Sequence, residues 1–294
     1  MLQTFILCIL AAGTVISGIS YTLYWRSALR DPHHSHGTAF SSGSGLFFCV
    51  LRAFMGSVFS QFFIYASYPL GFLKPRRGPK FRPDCEKPTV VLVHGLYHNA
   101  SAWYVYSWML RRQGYANIVC WSYNTVKYDF WELAEQLRGV VARASETSGG
   151  QVALMGHSLG GLLARAAVAD PDCASRVLAL VALGSPHGGS TLAGLALGRL
   201  GRSLAHGGEL VRRLAALPCP RAVPKLNIYS PLDNMVLPTG SLEIGQPGWV
   251  QAETAPISHV SMLYHPPTLR LALDFMEEAT GCAACRGEEA LAGA

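Results

Sequence analysis

The sequence predicts an α/β fold, a mostly parallel central sheet of about six strands with helices on both faces, preceded by an N-terminal apolar membrane segment. Three observations predict it. From residue 84 onward, short β-branched runs alternate with segments of helical period, the pattern of parallel crossovers. At "VALMGHSLGGLLARAA", Val152 to Ala167, a serine sits between two glycines where a strand pattern switches to a helix pattern. At the start, residues 1–25 carry no charged side chain.

Residues 1–83 read as a membrane-anchoring region. The first helix is expected over 2–25; about 20 apolar residues cross a bilayer core, and Tyr21, Tyr24 and Trp25 before Arg26 suit its edge. A cleaved signal peptide is the competing reading, but nothing basic precedes the apolar run. A second apolar helix is expected over 53–73, crossing the membrane or lying in its interface, with Arg52 and Pro69 leaving both open. Between them "HHSHGTAFSSGSG" reads as a solvated loop, so His33, His34 and His36 are not taken as metal ligands. Five cations in Lys74 to Arg82 suit an anionic-lipid contact and lean the catalytic domain toward the cytoplasmic face. The charge is divided unevenly. Residues 1–83 hold eight Lys and Arg against one acidic residue, and residues 84–294 hold sixteen against seventeen. A basic excess confined to an apolar segment points to a membrane partner and away from nucleic acid.

Residues 84–279 form the expected catalytic domain. Thr89 to His94 is a continuous apolar run suited to a strand buried on both faces. A helix follows over 101–113, a strand over 117–123, and a helix over 129–144 with acids early and arginines late, as the helix dipole favours. Strands are then expected over 152–155, 177–183, 226–229 and, weakly, 249–252, with helices over 159–168 and 268–278. Residues 191–223, leucine-rich and longer than an ordinary crossover, read as a lid-like insertion of one or two amphipathic helices. Residues 280–294 are a tail. Its Cys282 and Cys285 stand outside the strand-to-helix context of a redox motif, and no disulfide framework emerges from the eight cysteines.

The candidate site is built on Ser158, in Gly156-His157-Ser158-Leu159-Gly160. A G-x-S-x-G after a strand and before a helix is a nucleophile elbow, whose glycines let neighbouring chain pass close to a strained serine. A hydroxyl needs a base to take its proton and a carboxylate to orient that base. Asp233, in the loop after "KLNIYS", and His259, in the loop after the weak strand, fall in the order this architecture uses. Asp233 could instead only shape a turn, Glu243 and Glu253 are rival acids, and His265 belongs to the mouth of the last helix. Oxyanion donors are expected from the amides of Leu159 and of Leu96, the latter just past Gly95 in "HGLYHN". His157 and His187 are the substrate-binding candidates, with bracing roles as the alternative, and His94 is expected to fix its loop.

Four segments, "VLVHGLYHNASAW", "GHSLGGLLAR", "LGSPHGGS" and "IYSPLDNMV…SHVSMLY", carry a resemblance to the bacterial triacylglycerol lipases and esterases of the α/β-hydrolase superfamily. The resemblance covers residues 88–279 and implies a Ser158, Asp233, His259 triad with Leu96 and Leu159 as the oxyanion hole. Those lipases are generally secreted without an anchor, and the calcium ligands of their larger members have no match here, so no metal and no cofactor are expected. The expected function is a membrane-anchored serine ester hydrolase, a lipase or carboxylesterase with phospholipase activity included, acting on a lipid or ester substrate through an acyl-enzyme. An acyltransferase or thioesterase using the same residues, and a non-catalytic binding protein on the same fold, are the alternatives. Oligomeric state stays open.

Overall fold

The computed structural model describes residues 2–30, 43–73, 81–82 and 85–292. His33, His34, His36, most of the Lys74–Arg82 run and the side chains of Cys282 and Cys285 lie outside them.

Six strands form one sheet in the order β2-β1-β3-β4-β5-β6, every neighbouring pair parallel. They are β1 Thr89–Val93, β2 Ile118–Trp121, β3 Val152–His157, β4 Val177–Leu183, β5 Lys225–Tyr229 and β6 Trp249–Glu253. The chain steps outward from β1 to β2, then crosses back over β1 to place β3 on its other side. Loops leaving β1 and β3 therefore diverge, and open α/β sheets bind ligands at such a switch point.

Nine helices complete the chain among the described residues: α1 Leu2–Ala28, α2 Gly43–Ser67, α3 Tyr104–Arg112, α4 Phe130–Ser148, α5 Leu159–Val168, α6 Pro171–Ser175, α7 Gly198–Ser203, α8 Glu209–Ala215 and α9 Pro266–Ala292. The alternation of the strands sorts their side chains. Val91, Val93, Leu154 and Leu180 pack with Leu133 and Leu137 of α4 and Leu162 and Leu163 of α5. Val90, Leu92, Met155 and Val181 pack on the opposite face with Tyr106 of α3 and Met276 of α9. Burying each such Val or Leu side chain contributes about 1.5–3 kcal/mol, so the central strands hold the fold together. Local signals agree: Asp129 and Glu132 close a reciprocal capping box at the start of α4.

The N-terminal region is a helical hairpin. Ser17 Oγ donates to Ser57 Oγ at 2.8 Å, and the Tyr21 and Phe54 rings lie 6.1 Å apart, so α1 and α2 run antiparallel. Each helix buries one stripe at helical spacing: Gly13, Ser17, Ser20, Tyr21 and Tyr24 on α1; Ala53, Ser57, Ser60, Gln61 and Ile64 on α2. The outer faces carry Leu7, Val15, Ile19, Phe47, Phe48, Phe59 and Phe63. Small polar groups thus point inward beside Tyr21, Tyr24 and Ile64, while the outer faces are apolar.

This hairpin docks on the loops that follow β5 and β6. Tyr24 donates to the Pro231 carbonyl at 2.7 Å and Tyr21 to the Leu232 carbonyl at 3.3 Å, while the Ser60 and Ser261 hydroxyls meet at 3.3 Å. Ile64 enters the hydrolase core beside α3 and α9.

Several expected boundaries move. Helix α1 runs three residues past 25. Helix α2 starts at Gly43, not 53, because Phe47, Val50 and Leu51 already keep helical spacing across Arg52. It ends as an α-helix at Ser67, and Tyr68–Phe72 is a 3-10 turn beginning beside Pro69, which has no amide hydrogen to continue the ladder. The 101–113 segment opens with a 3-10 turn, Ala100–Trp103, before α3. The insertion comprises a 3-10 turn, Thr191–Leu195, then α7 and α8. Helix α9 runs through the segment expected as a tail, whose alanines and glutamates favour helix.

Candidate active site

Strand β3 delivers Ser158 to a sharp turn. The serine has φ 56° and ψ −122°, a region that side-chain-bearing residues rarely occupy, and α5 begins at the next residue. The turn is tight enough that a methyl group on Gly160 would lie 2.1 Å from the Val93 carbonyl oxygen. The Ser158 amide is tied to the Leu183 carbonyl at 2.8 Å, which holds the strained residue at the carboxyl end of β3 and β4. Strain retained in this way is a feature of functional turns.

The loop after β1 lies alongside. Val93 pairs with Gly156, and a Cβ built on Gly95 would sit 3.2 Å from the Ser158 Cβ. His94 is fixed as a neutral ring. Its Nδ1 donates to the Gly95 carbonyl at 2.8 Å, its Nε2 accepts from the Tyr123 amide at 3.2 Å, and it stacks on the Tyr123 ring at 4.0 Å. Burial pushes its pKa down to about 3, so the proton lost from one nitrogen is set by these two partners. Tyr123 in turn donates its hydroxyl to the His94 carbonyl. The amides of Leu96 and Leu159, from this loop and from the first turn of α5, make no hydrogen bond among the described residues.

Asp233 and His259 meet as the loop order predicts. His259 Nδ1 donates to Asp233 Oδ2 at 2.6 Å, with the carboxylate fully buried and the ring nearly so. The other carboxylate oxygen, Oδ1, accepts from the amides of Met235 at 2.8 Å and Val236 at 3.0 Å. Asp233 therefore shapes its own turn with one oxygen and orients the imidazole with the other. Ser230 stitches the two loops together, accepting from the amides of Leu232 and Ile257 and donating to the Ile257 carbonyl at 2.7 Å. With Nδ1 engaged by the carboxylate, Nε2 of His259 lies on the far side of the ring. Ser158 and His259 line the same cavity, about 640 Å³ in volume. The Ser158 hydroxyl makes no hydrogen bond among the described residues.

The two further histidine candidates separate. His157 lines the cavity; its Nε2 donates to the His259 carbonyl at 3.1 Å and its ring lies 4.6 Å from that of His259. Burial, reinforced by the neighbouring His259, holds its pKa well below the ordinary range. His187 does not line the cavity. Its Nδ1 accepts from Arg165 at 3.5 Å and its Nε2 donates to Asn227 at 3.2 Å, beneath the insertion, where α5 meets the Leu214 carbonyl through the same arginine at 3.1 Å.

Three residues at the site escaped the sequence reading. His98 lines the cavity, and burial together with His259 lowers its pKa to about 4. Tyr97, at φ 59°, spans from the loop after β1 to the insertion, where its hydroxyl donates to the Leu197 carbonyl. Asn234 accepts from the His259 amide at 3.2 Å while donating to Ser20 Oγ at 2.6 Å and Ser57 Oγ at 3.4 Å, so one buried amide joins the histidine loop to both N-terminal helices. The dipeptide Asp233-Asn234 was the available signal for Asn234: polar neighbours after a strand, of which only one is needed as the acid.

A parallel sheet with a strained serine at its switch point, and a carboxylate–imidazole pair on later loops, is the class of arrangement that a nucleophile elbow has on a doubly wound sheet. Comparison makes the class specific: the model of the alpha/beta hydrolase family matches residues 90–278, and the chain belongs to that family. No curated protein matches the sequence. Among solved structures, the lipase BlEst2 of Bacillus licheniformis in mature form is similar at TM-score 0.56 and 20% identity, over 66% of this chain and 94% of that one. Aspergillus fumigatus lipase B is similar at TM-score 0.63 and 16% identity, over 92% of this chain and 84% of that one, a match that reaches into the N-terminal region. The lin2722 product of Listeria innocua is similar at TM-score 0.52 and 17% identity, over 65% and 94%.

Proposed function

We propose that the protein is a membrane-anchored serine ester hydrolase that cleaves acyl esters of lipids through an acyl-enzyme. The observation that carries the reading is the 2.6 Å Asp233–His259 pair lining one cavity with a strained, unengaged Ser158 hydroxyl. In the proposed cycle His259 Nε2 takes the Ser158 proton as Oγ attacks the acyl carbon, and Asp233 holds the imidazole in the tautomer that leaves Nε2 free. The negative oxygen of the tetrahedral intermediate falls to the amides of Leu96 and Leu159, each worth about 2.7–4 kcal/mol by analogy with single-donor losses. The C–O bond to the alcohol breaks, the alcohol leaves with the proton held by His259, and water repeats the sequence to release the acid.

Lipid as the substrate class, and the membrane as its location, are supported by apolar surroundings. Leu192, Leu195 and Leu197 of the insertion line the cavity, and Ile6–Ala28 and Phe47–Phe72 are long and apolar enough to cross a membrane by length and composition. An inward-polar, outward-apolar hairpin suits hydrocarbon as its solvent. The relatives' names, lipases of B. licheniformis and A. fumigatus, lend the ester class further support.

The test is direct. A fluorophosphonate probe should form an adduct on Ser158 in detergent-extracted protein, and Ser158→Ala should lower lipid hydrolysis by about a thousandfold or more across a panel of acyl lipids. Unchanged turnover in the alanine variant rules the mechanism out; labelling without turnover of any ester, with release of acyl-acceptor product instead, reassigns the same residues to acyl transfer.

A further inference from the structure

We infer that the N-terminal hairpin is itself a wall of the substrate site: α1 holds the acyl chain, and Gln61 of α2 binds the polar linkage of the lipid. The inference rests on the hydrolase reading above and adds to it a substrate class, a long-chain acyl ester with a second oxygen function beside the scissile bond, as a glycerolipid has.

The cavity has three sides. Ser158, Leu96 and His259 line it from the hydrolase body, Leu192 and Leu197 from the insertion, and Ile16, Ile19 and Leu23 from α1. The last three recur every three to four residues, so they share one helix face, next to the stripe that docks on the acid loop. Ile19 is 54% exposed and Leu197 80% exposed, which places the apolar rim of the cavity between the outer face of the hairpin and the insertion. An acyl chain in the hydrocarbon beside α1 reaches this rim without crossing water, and each methylene it buries there gains about as much as it held in the bilayer. The volume of about 640 Å³ falls in the usual range for a bound small molecule.

Gln61 is the second, independent observation. It is 3% exposed, lines the cavity, and its side-chain amide has no hydrogen-bond partner among the described residues. The buried serines around it are engaged: Ser17 with Ser57, Ser20 with Asn234, Ser60 with the Ser57 carbonyl. A primary amide that faces the cavity with no protein partner is matched by a ligand that offers an acceptor and a donor together. A glycerol hydroxyl, or a neighbouring ester carbonyl with its hydroxyl, does so; a hydrocarbon or a simple alkyl ester does not.

Two measurements test this. In the first, a long-chain alkyl fluorophosphonate with a terminal diazirine is reacted with the full-length protein in detergent micelles and irradiated. An adduct on Ser158 with photo-insertion into α1 peptides supports the inference. An adduct on Ser158 with insertion only into the hydrolase body overturns it and leaves the hydrolase reading intact, whereas no adduct on Ser158 removes both. In the second, kcat/KM is compared for monooleoylglycerol and methyl oleate. Gln61→Leu should lower the ratio of the two about tenfold, the effect of one buried hydrogen bond. An unchanged ratio overturns the role of Gln61. Leu7→Trp, on the side of α1 opposite the cavity-lining residues, should leave the ratio as in wild type.

Discussion

The hairpin and the hydrolase body differ in what they bury and in what they expose. In the body, the inside is aliphatic: Val90, Val91, Leu92 and Val93 of β1 are all fully buried. In the hairpin, the inside holds Ser17, Ser20, Ser57 and Ser60, and the outside shows Phe47, Phe59 and Phe63. Water sorts a chain by sending apolar surface inward, and hydrocarbon removes that drive, leaving hydrogen bonds and small residues to make the inner contact. On the proposed membrane anchoring, the two regions of one chain meet two solvents. Their chemistry differs in the same sense, for neither α1 nor α2 contains Asp, Glu, His or Lys, while the body buries several histidines beside its candidate nucleophile.

Acid should therefore act on one region and spare the other, and this is the largest effect expected of the comparison. Burial lowers the pKa of His94 and of His187 to about 3 each, against an ordinary value near 6.5. With the folded value below the unfolded one, the unfolded chain takes up protons first. Stability is complete above about pH 6.5 and falls as the pH drops from there toward about 3. At pH 5 each of the two histidines should cost about 2 kcal/mol, together a sizeable part of the about 5–15 kcal/mol that holds a domain. Denaturation followed by tryptophan fluorescence at pH 7.5 and pH 5 reads the body, and co-flotation with vesicles at both values reads the hairpin. A body whose midpoint ignores pH, or a hairpin released by acid, breaks the distinction.

A single substitution placed in each region sharpens it further. Phe59 on the hairpin is 52% exposed and Val126 on the body 81% exposed, so contacts alone would rate both as tolerant. An exposed position in water changes stability by less than about 0.5 kcal/mol, whereas arginine in a hydrocarbon-facing helix costs about 2.5–3.5 kcal/mol. Phe59→Arg should lower vesicle partitioning about a hundredfold, by the same arithmetic, and Val126→Arg should leave both partitioning and stability near wild type. Equal silence of the two would mean the outer face of the hairpin meets water.

Much of the body was legible in the sequence because its signals are local. Each strand is a short β-branched run, and Gly156-His157-Ser158-Leu159-Gly160 can be tight only in one way. Asp233 and His259 followed from their places in loops after strands. The contacts between regions were not legible. Ser20 and Asn234 stand 214 positions apart, and neither has a pattern that names the other. Arg165, which the sequence did not single out, is buried and braces His187 and the Leu214 carbonyl, since α5 is covered on all sides. Arg52 looked like a boundary because a charge usually ends an apolar helix, but one exposed arginine leaves the backbone ladder of α2 intact. Local pattern fixes elements and turns; pairings across the fold depend on packing that no window of the sequence contains.

The smallest expected effect is the most informative about how the two regions work together. Asn234 accepts the His259 amide with one atom and reaches Ser20 and Ser57 with the other, so it stands between the N-terminal hairpin and the imidazole, where the proposed mechanism makes it a positioning residue. Asn234→Ala strands the buried His259 amide and loosens the ring that Asp233 orients. We expect kcat to fall about tenfold, roughly 1.4 kcal/mol, with KM within about twofold, since the residue does not line the cavity. Ser20→Ala keeps the acceptor for the His259 amide and removes only the anchor of Asn234, so its loss in kcat should be smaller and in the same direction. If the hairpin steadies the histidine through Asn234, the double variant should lose no more than Asn234→Ala alone, because the serine acts only through the asparagine. Losses that simply add would instead show two independent contacts, and the N-terminal hairpin would have no hand in holding the base of the site.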